Sequence, residues 1–423
     1  MTIRTFSAGG ARWLRSLAMP MGRESWASGM AGVFFQFLVL SLAIFACLAS
    51  PVGAAEADAK GVDRIIKVGP QRQVKTLTEA SRIAQAGDTL EVDAGDYLRD
   101  VAIWAQAKLK IKAIGGRVRL IADGVSAEGK GIWVVRGGVI SVEGFDFLGA
   151  RVGDRNGAGI RMEKGHLLIR DCRFLDNENG ILTGGNADST LEIVNSEFGN
   201  NGHGDGQSHN LYVGAIARLT VIGSYFHHAR VGHLLKSRAA ENHIFYNRLT
   251  DEVGGKASYE LELPNGGVAY VVGNLIQQGS STENPNIVSY GVEGYRWPNN
   301  ALYLINNTLV DNRPQGGVFL KLKPGQQSVV AVNNLLVGKG KLESAGPGDY
   351  RNNFNVDWDQ FVQAVREDYR LSETSSYLGK GMEPPQVAGV NLRPLKEYVH
   401  PRSTRSVRES RLSPGAFQTT KAP

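Results

Sequence analysis

Cysteine is nearly absent from this 423-residue chain, which holds two, Cys47 and Cys172. Cys47 lies in an N-terminal apolar leader, so Cys172 is alone in the mature protein and a disulfide-stapled scaffold is excluded. A lone exposed thiol is a hazard in an oxidising compartment, so Cys172 is expected to be buried. Proline is scarce as well, 15 residues against 52 glycines, which favours frequent tight turns over extended linkers. No block of clustered Lys/Arg and no nucleic-acid recognition module occurs, so nucleic acid is not expected as a partner. The formal charge of +6 favours an acidic partner, and an anionic polysaccharide fits an exported β-protein best. Four arginines, Arg4, Arg12, Arg15 and Arg23, leave with the leader if it is cleaved.

One long apolar run is present, Ala31 to Ser50, following a basic segment. Small residues from Pro51 to Ala55 supply a cleavage site near Ala54 or Ala55, so residues 1–55 read as a signal peptide. The run is also long enough for a retained membrane anchor. Either way the remainder is expected outside the cytoplasm, periplasmic or extracellular, touching membrane only through an uncleaved leader.

Beyond the leader the sequence repeats. GFDF, DCRF, NSEF, GSYF, YNRL, GNLI, NNTL and NNLL end at Phe147, Phe174, Phe198, Phe226, Leu249, Ile276, Leu309 and Leu336, spaced by 27, 24, 28, 23, 27, 33 and 27 residues. That period fits one turn of a three-sheet β-solenoid. Helical arrays are excluded by the period-two alternation of Leu191 and Ile193, or of Val268, Tyr270 and Val272. The Leu/Asn consensus of leucine-rich repeats is missing. Two residues before each anchor stand Cys172, Ser196, Ser224, Asn247, Asn274, Asn307 and Asn334. Stacked turns place these in one interior column, where amides can bond to each other and to turn backbone. Cys172 in that column is a small packing residue.

A helical stripe of Leu77, Ala80, Ile83 and Ala84, closed by Gly87, is followed by the strand Thr89–Val92 and by Ala94–Tyr97. These resemble the opening of pectate-lyase-like parallel β-helix proteins, in which a short helix covers the first turn. Asp368–Leu371, Glu397–Val399 and Ser413–Gln418 resemble the closing segment of bacterial members. The resemblance spans about 63 to 418 and implies an all-β fold: a single right-handed parallel β-helix over 63–356 behind an N-terminal capping helix. A capping segment and tail follow at 357–423, and a monomer is expected.

Chemistry is expected on the strand after each anchor. Alternation in Gly159–Met162, Asn210–Val213, His233–Ser237, Tyr259–Leu263 and Val318–Leu322 turns Arg161, Asn210, Tyr212, Lys236, Glu260, Glu262, Phe319 and Lys321 outward on one face. Cations, carboxylates and aromatics together suit an oligosaccharide groove, although an ordinary solvated face has the same alternation. Leu234–Asn247 carries a Lys-Ser…Asn…Asn pattern at Lys236, Ser237, Asn242 and Asn247. It resembles the chondroitinase B and alginate lyase family of β-helix polysaccharide lyases. The resemblance implies that Lys236 removes the proton at C5 of a uronic acid. Arg238, two residues on in the same strand phase, is a cation expected to favour the neutral amine. The family's acidic calcium ligands fall at Ala229 and Val231 here, and its next-turn arginine falls within Glu262–Asn265. Its metal site and carboxylate neutraliser are therefore missing, and no cofactor is expected. Glu260 and Glu262 are left to bind substrate, to hold a cation or to act as a base.

Six of the eight histidines lie between His203 and His243, beside the glycine-rich loop Asn200–Gly206. His203, His209, His227, His228 and His233 are expected to converge where turns stack, with no standard zinc spacing among them. His209 or Tyr212 is the expected acid for a leaving oxygen, and Arg161, Arg238, Asn210, Glu260 and Glu262 the expected substrate-binding set. Pectin-type hydrolysis needs outward Asp clusters, which this face lacks, and an alginate-type epimerase signature is absent. Two readings stay open: a lyase acting on an acidic polysaccharide, and a non-catalytic polysaccharide-binding solenoid in surface-glycan export or attachment.

Overall fold

The structure is a computed structural model and describes residues 64–421 apart from 326–327, 343–347, 388 and 409. The leader, Cys47 and the cleavage region lie outside the described residues. Among the described residues no helix is long and apolar enough to cross a membrane.

Strands from Ile65–Val68 to Phe354–Val356 form one continuous parallel sheet of 29 strands, wound into about ten turns. Each middle turn contributes three short strands, for example Arg218–Ile222, Tyr225–His227 and Leu235–Ser237. Each pairs in register with its equivalent one turn away: Arg218–Ile222 with Glu241–Phe245, Tyr225–His227 with Arg248–Thr250, and Leu235–Ser237 with Leu261–Leu263. The repeat anchors stack because equivalent residues sit one strand spacing apart. Phe147, Phe174, Phe198 and Phe226 form a ring stack with centroids 4.8, 4.7 and 4.7 Å apart. Leu249, Ile276, Leu309 and Leu336 continue the buried column.

The polar column follows beside it. Asn247 Nδ2 donates to Asn274 Oδ1 at 3.0 Å, Asn274 to Asn307 at 3.0 Å, and Asn307 to Asn334 at 3.1 Å. The ladder runs on to Asn353, one turn further than the repeat indicated. At its other end Ser224 and Ser196 hydroxyls take the place of the amide oxygens, each accepting a backbone N–H from the turn before. Cys172 ends the column buried, and burial pushes its thiol up to about 12.

The front helix spans Leu77–Ile83, with Leu77 and Ala80 buried. Thr76 caps it by accepting the Glu79 N–H at 3.1 Å, and Asp100 accepts the orphan N–H groups of Leu77 and Thr78. It ends four residues before Gly87, and Ile83, expected in the apolar stripe, is exposed. The C-terminal residues do more than close the last turn: they run back along the flank of the solenoid. Ser413 O accepts from Asn306, Tyr246 OH accepts the Leu395 N–H, and Arg402 pairs with Glu197 at 3.1 Å and Asp171 at 3.2 Å.

Four expected outward side chains are buried: Asn210, Glu260 and Phe319 face inward, while Glu262 keeps its outward position but is covered by His233 and Lys236. Phe319 lies inside the strand Val318–Leu322 beside a break in register; Asn210 and Glu260 stand just before Leu211–Val213 and Leu261–Leu263, at the corner where the chain enters the sheet. Strict alternation holds only along extended backbone, so two consecutive residues face inward there. Asn210 joins a second ladder with Asn201 and Asn177, taking the Asn201 amide at 2.8 Å and donating to the His227 carbonyl. It is a structural residue and offers nothing to substrate. Glu260 has both carboxylate oxygens buried without a partner, and burial, reinforced by Asp251, holds its carboxyl well above the usual range. Fully buried, Glu260 cannot reach a substrate in the groove.

Candidate functional site

One outward column remains. Register places Arg161 beside Leu182, Leu182 beside Tyr212, Tyr212 beside Lys236, and Lys236 beside Glu262. Ser289 and Lys321 continue it on the next two turns. Arg161, Tyr212, Lys236 and Arg238 line one groove with His209 and His233, enclosing about 470 Å³. Leu182, which carries no polar group, separates Arg161 from Tyr212 along the column.

The charges inside the groove are paired. Lys236 Nζ lies 2.8 Å from Glu262 Oε2 and 3.2 Å from Glu293 Oε1. Arg238 NH1 meets Glu293 Oε2 at 2.7 Å and Asn265 Oδ1 at 2.5 Å, while its Nε donates to the Tyr212 hydroxyl at 3.0 Å. The guanidinium also lies over the Tyr212 ring, 5.9 Å from its centroid. Arg238 is a cationic neighbour of Lys236, and both cations hold the same carboxylate. Burial opposes the charge on Glu262, but His233 and Lys236 outweigh it and hold its carboxyl below the ordinary value.

His209 and His233 stack with ring centroids 4.5 Å apart, because their strands are neighbours in register. Burial holds His209 well below the ordinary imidazole value, and the neighbouring His233, Lys236 and Arg238 add to the effect. His209 Nδ1 accepts the backbone N–H of His233 at 3.0 Å, so the neutral ring carries its proton on Nε2. Burial also lowers His233, whose Nδ1 lies 3.1 Å from Glu262 Oε2. The arrangement therefore offers a neutral N–H donor and a phenol beside two cations.

The remaining histidines do not converge here. His203 lies 3.6 Å from Glu178, while His227 and His228 meet each other at 2.9 Å beside Tyr225. Among the described residues no group of three or more His, Cys, Asp or Glu side chains is placed to hold a metal ion. Ala229 and Val231, at the positions of the resembled family's calcium ligands, have no donor side chain, so those positions do not fit calcium. A second cavity of about 480 Å³ lies where the C-terminal segment crosses the solenoid, lined by Tyr225, Arg248, Glu252, Glu367, Tyr398 and His400. Arg248 there pairs with both Glu252 and Glu367, tying the segment to the solenoid.

Two groove residues carry no motif in the sequence, His233 and Glu293. His233 was one of several histidines without a role, and its stacking on His209 gives it one. Glu293 comes from a loop 57 residues beyond Lys236. The only trace of that loop is the 33-residue spacing between Ile276 and Leu309, the longest in the repeat.

No family model matches the sequence, and no curated protein matches it. Among solved structures, pectate lyase Pel9A is similar with a TM-score of 0.58 and 12% identity, covering 84% of this chain and 96% of that chain. At that identity the likeness carries the fold alone. With strands paired parallel throughout and about ten turns around one core, the protein is a right-handed parallel β-helix of the pectate-lyase-like fold.

Proposed function

We propose that the groove over Arg161, Tyr212, Lys236 and Arg238 binds an acidic polysaccharide and cleaves it by β-elimination at a uronic acid. The observation that carries this reading is the convergence of Lys236 and Arg238 on a single carboxylate, that of Glu293. The pair marks a uronate subsite in which Arg238 takes the carboxylate and Lys236 lies beside it, and charge-assisted contacts of the Arg238 kind are strong and geometrically specific. In the reaction Arg238 neutralises the uronate carboxylate, which acidifies the proton at C5. Lys236, as the free amine, takes that proton. The electron pair forms the C4–C5 double bond and the C4–O bond breaks. The leaving oxygen takes a proton from Tyr212 or from His209 Nε2. Glu262, 2.8 Å from Nζ, positions the amine. Export supported by the apolar leader, and action as a monomer, belong to the same proposal.

The competing reading, a non-catalytic binding solenoid, is favoured by the resting pairing of Lys236 with two carboxylates. Incubating the mature protein with polygalacturonate, alginate and chondroitin, and following ultraviolet absorbance of an unsaturated uronate, separates the two. Turnover abolished by Lys236→Ala, with Tm nearly unchanged, is the expected result. Binding without an unsaturated product on every polymer would leave only the binding solenoid.

A further inference from the structure

Glu293 lies in the loop between the strands Asn286–Tyr290 and Ala301–Ile305. The loop backbone is pinned at several points. Its own Glu293 N–H reaches the Pro264 carbonyl at 3.0 Å, and the Arg296 N–H reaches Asn265 O at 3.1 Å. The Tyr295 hydroxyl donates to Lys323 O at 2.6 Å, and Trp297 Nε1 to Arg238 O at 3.1 Å. The frame is thus fixed, while the Glu293 side chain stays 43% exposed above Lys236 and Arg238, which are only 12% and 18% exposed. Its carboxylate takes Arg238 in a fork, Oε2 to NH1 at 2.7 Å and Oε1 to NH2 at 3.2 Å, with Lys236 on Oε1 at 3.2 Å. This is the geometry in which a planar guanidinium receives a carboxylate ligand.

We propose that Glu293 is an internal competitor that occupies the uronate subsite until an anionic ligand displaces it. The inference rests on the function proposed above. Displacement needs only a rotation of the Glu293 side chain, because the loop backbone is held independently of it. The exchange replaces one carboxylate by another, so the subsite contributes little net affinity. A bound chain must draw the surplus from further contacts, and Arg161, three turns along the same groove, is the cation placed to take a second carboxylate. The groove therefore selects chains bearing several uronates and rejects single uronates and neutral glycans. Glu293 is a specificity-determining residue that excludes weak anions.

The test is equilibrium binding by calorimetry of three probes to the wild-type protein and to Glu293→Gln. The probes are galacturonate hexamer, mannuronate hexamer and the methyl-esterified galacturonate hexamer. Glu293→Gln keeps the size of the side chain and removes its charge, and the position is exposed enough for folding to survive; Glu293→Ala serves as a second variant. Tighter binding of an acidic hexamer by both variants, by about tenfold or more, with the methyl ester unchanged, is the expected result. Unchanged or weaker binding of acidic hexamers by both variants, when the wild type binds them, overturns the inference and leaves the proposed function standing. No acidic hexamer binding to any of the three proteins overturns the proposed function itself.

Discussion

Replacing Asn274 by Ala should be among the most damaging single changes the solenoid can suffer, although it lies far from the groove. Asn274 Oδ1 accepts the backbone N–H of Asn247 at 2.9 Å and its side-chain Nδ2 at 3.0 Å. Its own Nδ2 donates to Ile244 O at 2.8 Å and to Asn307 Oδ1 at 3.0 Å. Truncation leaves two donors on Asn247 unsatisfied in an interior from which water is excluded. At about 1–3 kcal/mol for each buried donor left unpaired, the loss is ~2–6 kcal/mol before any cavity contribution. Asn307 Oδ1 keeps the backbone N–H of residue 274, so that side of the ladder is spared. Urea unfolding followed by circular dichroism gives the stability change, with exposed Asn299→Ala as the control, expected within about 0.5 kcal/mol of wild type. Because turns of a solenoid open semi-independently, hydrogen exchange at the Asn247 turn should quicken more than at the distant Trp133 turn. If Asn274→Ala costs no more than Asn299→Ala, the ladder is not an energetic element and the reasoning fails.

A buried acid beside the groove turn gives a pH prediction. Burial pushes the Asp251 carboxyl up to about 7, against about 3.9 in an unfolded chain. The folded state then holds more protons than the unfolded one between those values, so stability falls as pH rises from about 4 to about 7 and is flat above. About three pKa units correspond to ~4 kcal/mol at most; Asp251→Asn should remove this slope, raising Tm relative to wild type more at pH 8 than at pH 5, and an equal change at both refutes it. Tyr212→Phe removes the hydroxyl that Arg238 bonds at 3.0 Å; if the phenol protonates the leaving oxygen, kcat should fall by about a hundredfold or more while hexamer affinity changes little. A loss confined to affinity would make Tyr212 a positioning residue.

The sequence displayed the solenoid because its turns are copies. A residue repeated at Asn247, Asn274, Asn307 and Asn334 can satisfy its amide only by stacking, so one observation sets period, register and inward direction together. The outward column was legible for the same reason at Tyr212, Lys236 and Glu262, each between two inward residues of one short strand. It failed at Asn210 and Glu260, where corner geometry replaces the period of two, and at Phe319, where a break in register interrupts it. The backward path of the C-terminal segment was hidden, since Arg402 meets Asp171 across 231 residues with no repeat to announce it. Glu293 was hidden because loops carry no periodicity; only the added length of its turn marked the place.

A parallel in-register column brings each side chain against its equivalents on both sides at one strand spacing, about 4.8 Å. Like charges in adjacent positions would repel along the whole groove. The column runs Tyr212, Lys236, Glu262, Ser289, Lys321, with no two like charges adjacent, and Lys236 and Glu262 close to 2.8 Å. The groove is therefore electrostatically compensated before any ligand arrives, first by the fold's own stacking and then by Glu293. Binding an anion in such a groove is an exchange of ion pairs rather than the filling of a positive cleft. The affinity of an exchange grows with the number of ligand carboxylates that find cations and depends less on the chain's net charge of +6. The same compensation bears on the chemistry. On the elimination proposed above, Lys236 takes a C5 proton only as the free amine. A uronate that merely replaces Glu293 by its own carboxylate leaves the amine no less paired than before, so the base must be freed by where the carboxylate settles, on Arg238 rather than on Nζ.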